Sequence, residues 1–160
     1  MKEIKYNRSN ALEYTKNWAL KRNPNYYDFS KIGGDCTNFA SQCIYYANNV
    51  MNFTPITGWY YISAYDRTAS WTSVEYFYKF ITTNKSVGPF GNIATINEIQ
   101  PADFIQLKSD KRYHHTLIIE DIKGSDVLVS SHSNDNYKIP LSSYEYDEIR
   151  FIHIAGIRIK

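Results

Sequence analysis

A chain of 160 residues with 43% hydrophobic content is long enough to bury a sizeable core and is most simply one domain, residues 1–160. A formal net charge of +2 without any basic block gives no pointer to nucleic acid, and no segment approaches the ~20 apolar residues of a membrane span. The opening "MKEIKYNRSN" carries charge with no apolar core behind it, so a signal peptide is not expected and a cytoplasmic location is the default. A phage lysin, a cell-wall enzyme or an excised domain carries the same signature.

The hydrophobic spacing predicts a first helix from Ser9 to Leu20, with Ala11, Leu12, Thr15, Trp18 and Ala19 on one face and Ser9 as cap. The stretch "KRNPNYYDFSKIGGD" reads as loop, broken by Pro24 and the Gly33–Gly34 pair. After Asp35 a second helix is predicted, because Cys36, Phe39, Ala40, Cys43, Ile44 and Ala47 follow the spacing of a core-facing stripe. "MNFTPITGWYYISAYDRTASW" reads as aromatic loop and "TSVEYFYKFITTN" as a third helix, stopped by the glycines of "GPFG". Beyond it "DFIQLKS", "HHTLIIEDI", "DVLVSSHS" and "FIHIAGIRIK" are short, rich in Ile, Leu and Val, and separated by turn residues. Helices first and an antiparallel sheet second predict an α+β fold. The fifteen tyrosines fit a sheet with half-buried aromatic faces better than a ligand platform.

The two cysteines, Cys36 and Cys43, are seven apart; on one helix that is roughly 10 Å along the axis, too far for a disulfide. Two reduced thiols fit a reducing compartment. A cysteine on an apolar stripe reads first as a small buried hydrophobe. Cys36, however, starts its helix after two glycines and an Asp that can cap it. Free N–H groups and the positive dipole end there favour a thiolate, and the same N–H groups can hold an oxyanion. Cys43, two turns inside, has neither advantage and reads as core.

A thiolate nucleophile needs a base, and the chain has four histidines: His114, His115, His132 and His153. "HHTLIIEDIKGSDVLVSSHSND" reads as a hairpin. If Lys123 and Gly124 form its loop, His115 faces His132; if Gly124 and Ser125 do, Asn134 faces His115. Either register puts His115, His132 and Asn134 on one face and His114 on the other, with opposed Cβ atoms about 5 Å apart. A register slipped by one residue breaks the argument. A metal site has no C-x-x-C or H-x-x-x-H spacing to support it.

Taken in order, "GGDCTNFASQC", "GWYY", "SWTSVEYFYKF", "GPFG", "IQPADFIQL", "YHHTLIIE", "SSHSNDNYKIPLSSY" and "RFIHIAGIR" resemble the bacterial putative amidase domain family, grouped with the papain-like NlpC/P60 and CHAP cysteine amidases. The resemblance runs from about Tyr6 to Arg158. It implies a papain-like core in which a nucleophile at a helix N-terminus packs on an antiparallel sheet that carries the histidine. "DCTNFASQ" then matches the nucleophile at Cys36 and "HTLIIE" the base at His115, with His132 as orienter and Asn134 close behind. Ala102 stands where many relatives have glycine, and Asp103 beside it reads as a structural turn residue. Asp35, Trp59, Tyr60 and Trp71 are the candidate substrate contacts.

The expected activity is a cysteine-dependent amidase or peptidase acting on a peptide or peptidoglycan-like amide, by chemistry that needs neither metal nor cofactor. The same site could instead transfer the acyl group to an amine or alcohol. From a different class, a non-catalytic module could use Trp59, Tyr60, Tyr61 and Trp71 as a ligand groove, although such a module has no need of a reactive thiol.

Overall fold

The computed structural model of the chain describes residues 1–132 and 134–160. In chain order the elements are β1 (Lys2–Ile4), α1 (Arg8–Trp18), α2 (Cys36–Asn48), β2 (Tyr61–Ser63), β3 (Asp66–Arg67), α3 (Ala69–Thr72) and α4 (Val74–Thr83). Then come β4 (Gly88–Ala94), β5 (Phe104–Ser109), β6 (Arg112–Lys123), β7 (Asp126–Ser131), β8 (Asn136–Pro140), a 3-10 turn (Leu141–Ser143) and β9 (Glu148–Ile159). The fold is α+β with an antiparallel sheet. Its strand order is β1-β9-β5-β6-β7-β8, and β4 lies along the other edge of β9.

Four of these strands were expected from their Ile, Leu and Val content. The others are corrections. β1 and β8 are short and half polar, and "GPFG" begins β4 instead of merely stopping a helix. The aromatic loop contains the β2–β3 hairpin and the short helix α3, and the third predicted helix begins at Val74, after extended backbone at Ser73 (φ −104°, ψ 132°). The first helix starts at Arg8, one residue early, because Asn7 Oδ1 accepts from the Asn10 N–H at 3.1 Å and so takes the capping role given to Ser9.

Strand alternation sorts the core onto the two sheet faces. Phe104, Ile118, Ile152 and Ile154 pack with the helices, while Ile105, Leu117, Ile119, Val127 and Val129 form a second cluster on the opposite face. Helix α2 is buried along most of its length, and its four buried polar side chains each have a hydrogen-bond partner. Thr37 Oγ1 lies 3.0 Å from Thr116 Oγ1, Trp71 Nε1 donates to Asn38 Oδ1, Trp59 Nε1 donates to Ser41 Oγ, and Tyr14 donates to Gln42. Satisfied in this way, four polar side chains can sit inside a core without the penalty of unpaired burial.

Asp103, fully buried, ties strands to helix: it meets Arg8 Nη1 at 2.8 Å, His153 Nδ1 at 2.8 Å and the Ile154 N–H at 2.9 Å. Ala102 before it has φ +70°, the left-handed region that costs a residue with a Cβ and suits glycine. None of the described helices is long and apolar enough to cross a membrane.

Candidate active site

Helix α2 delivers Cys36 to the floor of a cavity of about 380 Å³. The walls come from the loop Phe29–Gly34, from Arg67 of β3, from the α3–α4 junction and from the start of β6. Gly33 and Gly34 take φ of +84° and +101°, backbone that only glycine adopts without strain, so the chain can turn directly into the helix. Both thiols are free and no disulfide joins them.

Burial opposes the acidity expected of the Cys36 thiol. Cys36 is 6% exposed, and burial pushes its pKa up, with the Asp35 charge adding to the rise; hydrogen bonds from the Thr116 and Thr37 backbones draw it back only in part. Cys43 is fully buried, as expected of a core residue.

The histidine that borders this cavity is His114, not His115. Two β-bulges decide this. The hairpin turns at Gly124 and Ser125, since Lys123 pairs with Asp126, which is one of the two anticipated positions. Between Ile119–Val129 and Asp121–Leu128, however, Glu120 is an extra residue, and beyond it the register slips by one. The slip puts His115 and His132 on opposite faces of the sheet. A second bulge lies between β5 and β6: Leu107 pairs with His115 and Lys108 with Tyr113, which leaves His114 as the extra residue. His114 therefore lines the cavity, on the face that Thr116 and Ile118 present to the helices. The Thr116 backbone hydrogen-bonds to Cys36, and His114 lies two residues along the strand, about 6.6–7 Å by Cα.

His115 faces away from the helices. It pairs with Leu107 and its ring centroid is 5.7 Å from that of Tyr144. Burial, with a smaller contribution from the neighbouring His114, lowers its pKa to about 4.

His132, expected as orienter, contacts Asp35, the residue before Cys36. Its Nδ1 is 2.6 Å from Asp35 Oδ2, and its Nε2 donates to the Trp18 carbonyl at 2.8 Å. The ring stacks on Phe39 of α2 at 3.9 Å. Asp35 Oδ1 accepts from the Phe29 N–H and from Asn38 Nδ2, and Arg22 Nε lies 3.5 Å from Oδ2. The carboxylate caps no backbone N–H of the helix; it locks the loop to the helix start instead.

Asn134 is exposed on the turn between β7 and β8, with φ +63°. Trp59 and Trp71, expected as substrate contacts, are fully buried in the core with their rings 4.6 Å apart. Tyr60 donates to Asp66 Oδ1 at 3.0 Å and packs on Phe53, away from the cavity residues. Sequence reasoning missed Arg67, Arg112 and Tyr113, since isolated residues on short strands form no pattern.

A family model described as a putative amidase domain matches residues 5–155. The chain is also similar to the uncharacterized protein YhbB of Bacillus subtilis (strain 168), 29% identical over 147 residues that cover 89% of this chain and 46% of that protein. The chain thus spans less than half the length of that relative. No solved structure matches it.

Proposed function

The chain belongs to the putative amidase domain family, and we propose that it hydrolyses amide bonds by a cysteine-dependent route with Cys36 as nucleophile and His114 as base. The observation that carries this reading is the shared cavity: His114, raised out of the ladder by a bulge, borders the same space as a cysteine at a helix N-terminus. A nucleophile helix packed on an antiparallel sheet that supplies the histidine is also the arrangement of a papain-like core.

The Sγ proton passes to the His114 imidazole as sulfur bonds to the carbonyl carbon, because a buried neutral thiol is a weak nucleophile until it is deprotonated. Helix N-terminal N–H groups, that of Cys36 among them, stabilise the oxyanion. The imidazolium returns its proton to the departing nitrogen as the C–N bond breaks, which leaves a thioester. Water, deprotonated by His114, then attacks the thioester; the acid departs and the thiol is restored. Asp35, held by His132, Asn38 and the Phe29 N–H, fixes the backbone that presents the thiol.

Incubation with a peptide library and with purified sacculi, followed by mass spectrometry of new termini, tests the reading. Cys36→Ala and His114→Ala lose product formation by about a thousandfold or more while keeping native circular dichroism. His115→Ala keeps turnover within a few-fold of the parent. A dead His115→Ala beside an active His114→Ala would refute the assignment.

A further inference from the structure

We propose that the Cys36 cavity selects an amide substrate that carries a carboxylate near the scissile bond, with Arg67 and Arg112 as the cations that bind it. This rests on the amide-hydrolase reading and adds to it the substrate's charge.

The chain has six arginines. Four are committed to acids: Arg8 to Asp103, Arg22 to Asp135, Arg150 to Glu75 and Arg158 to Glu3. Arg67 and Arg112 are the two that border the cavity, and neither has an ion pair among the described residues. The acid that shares the cavity, Glu75, lies 3.0 Å from Arg150. Asp35, behind the thiol, is buried against His132. The cavity therefore presents two uncompensated guanidiniums to whatever enters it.

Arg67 is also held ready. Its guanidinium stacks over the Phe29 ring at 4.4 Å, its Nε donates to Thr72 Oγ1 at 3.2 Å and its Nη1 donates to the Ala64 carbonyl. Neutral partners fix its position and leave its charge unspent, so little side-chain entropy remains to be lost when a ligand binds. Arg112 stands two residues before His114 on β6 and is exposed. A carboxylate is the group that a guanidinium fork grips with two parallel hydrogen bonds, whereas a substrate cation would be repelled.

Two libraries of N-acetylated peptides supply the test, identical except that Asp and Glu in one are Asn and Gln in the other. A matched pair taken from the cleaved peptides gives the ratio of kcat/KM, acid over carboxamide. The expected ratio is tenfold or more, carried by KM and shrinking as salt is added. Arg112→Gln and Arg67→Gln each reduce the ratio at least threefold. Arg67→Gln loses two hydrogen bonds and can unfold; Arg112→Gln, at an exposed strand start, keeps the test decisive. Equal kcat/KM for the two peptides overturns the proposal and leaves amide hydrolysis standing. If no peptide in either library is cut, the hydrolase reading is the one that fails. Calorimetry on Cys36→Ala with the first library and, separately, with its Asn/Gln counterpart then decides the arginine proposal: tighter binding of the acidic library supports it, and equal or absent binding overturns it.

Discussion

Cys36 combines two opposed influences, a helix N-terminus that favours the thiolate and burial that disfavours it, and burial is the larger. Its chemistry at rest follows. In the folded protein at pH 7, iodoacetamide is expected to modify Cys36 slowly, with a rate that climbs as pH rises past 9; Cys43, fully enclosed, reacts only on unfolding. Mass spectrometry of timed samples from pH 6 to 10 reads both sites. A Cys36 rate that is already flat from pH 6 would mean a preformed thiolate–imidazolium pair, and the general-base order of steps would be wrong. The position of Cys36 at a helix start was legible in the sequence, because Gly-Gly-Asp before an apolar stripe marks such a start whatever surrounds it. Its acidity was not, because solvent exclusion is set by β6 and by the Phe29–Gly34 loop, both distant in sequence or unpatterned.

At the scale of elements, two single-residue bulges separate the expected site from the proposed one. Ile, Leu and Val content located β5, β6, β7 and β9, and glycine placed the hairpin turn to within one residue. Nothing in "HHTLIIEDI" signals that Glu120 and His114 are extra residues; a bulge is a compromise among three strands, and its cause is tertiary. The consequence reaches His132, which turns toward α2 and meets Asp35. Removing its ring leaves a buried carboxylate without its nearest partner, so His132→Ala is expected to cost roughly 3 kcal/mol of stability. Turnover corrected for the folded fraction should fall by less than it does in His114→Ala. Urea unfolding followed by tryptophan fluorescence, with activity at matched folded fractions, separates the two effects. Unchanged stability with turnover abolished would return His132 to the catalytic group.

For the molecule as a whole, two titratable groups with shifted pKa on opposite faces of the sheet, one buried and one half-buried, give stability a pH profile with two limbs. His115, in the cluster away from the helices, has a pKa of about 4 in the fold against 6.5 ordinarily. The unfolded chain therefore takes up the proton first, and the stability linked to His115 is whole above pH 6.5 and is lost as pH falls through 4. Discounted for partial solvent access, that limb is worth about 1–2 kcal/mol. Glu120, at its bulge against the helices, behaves in the opposite way. Burial raises its carboxyl above the ordinary 4.5, the Thr15 and Ser130 hydroxyls oppose this only in part, and its Oε1 has no hydrogen-bond partner among the described residues. The fold holds that proton more firmly than the unfolded chain, so this contribution is present at low pH and declines as pH rises through the raised pKa. His115→Gln is expected to flatten the acid limb, losing less stability than the parent between pH 6.5 and 4. Glu120→Gln cannot ionise, so it should be more stable than the parent at pH 8, by about 1 kcal/mol, with the advantage gone at pH 4. Urea midpoints for the parent and both variants at these pH values provide the measurement. Parallel profiles for all three proteins would mean that neither group couples folding to protons, and that the acid sensitivity lies in the surface carboxylates instead.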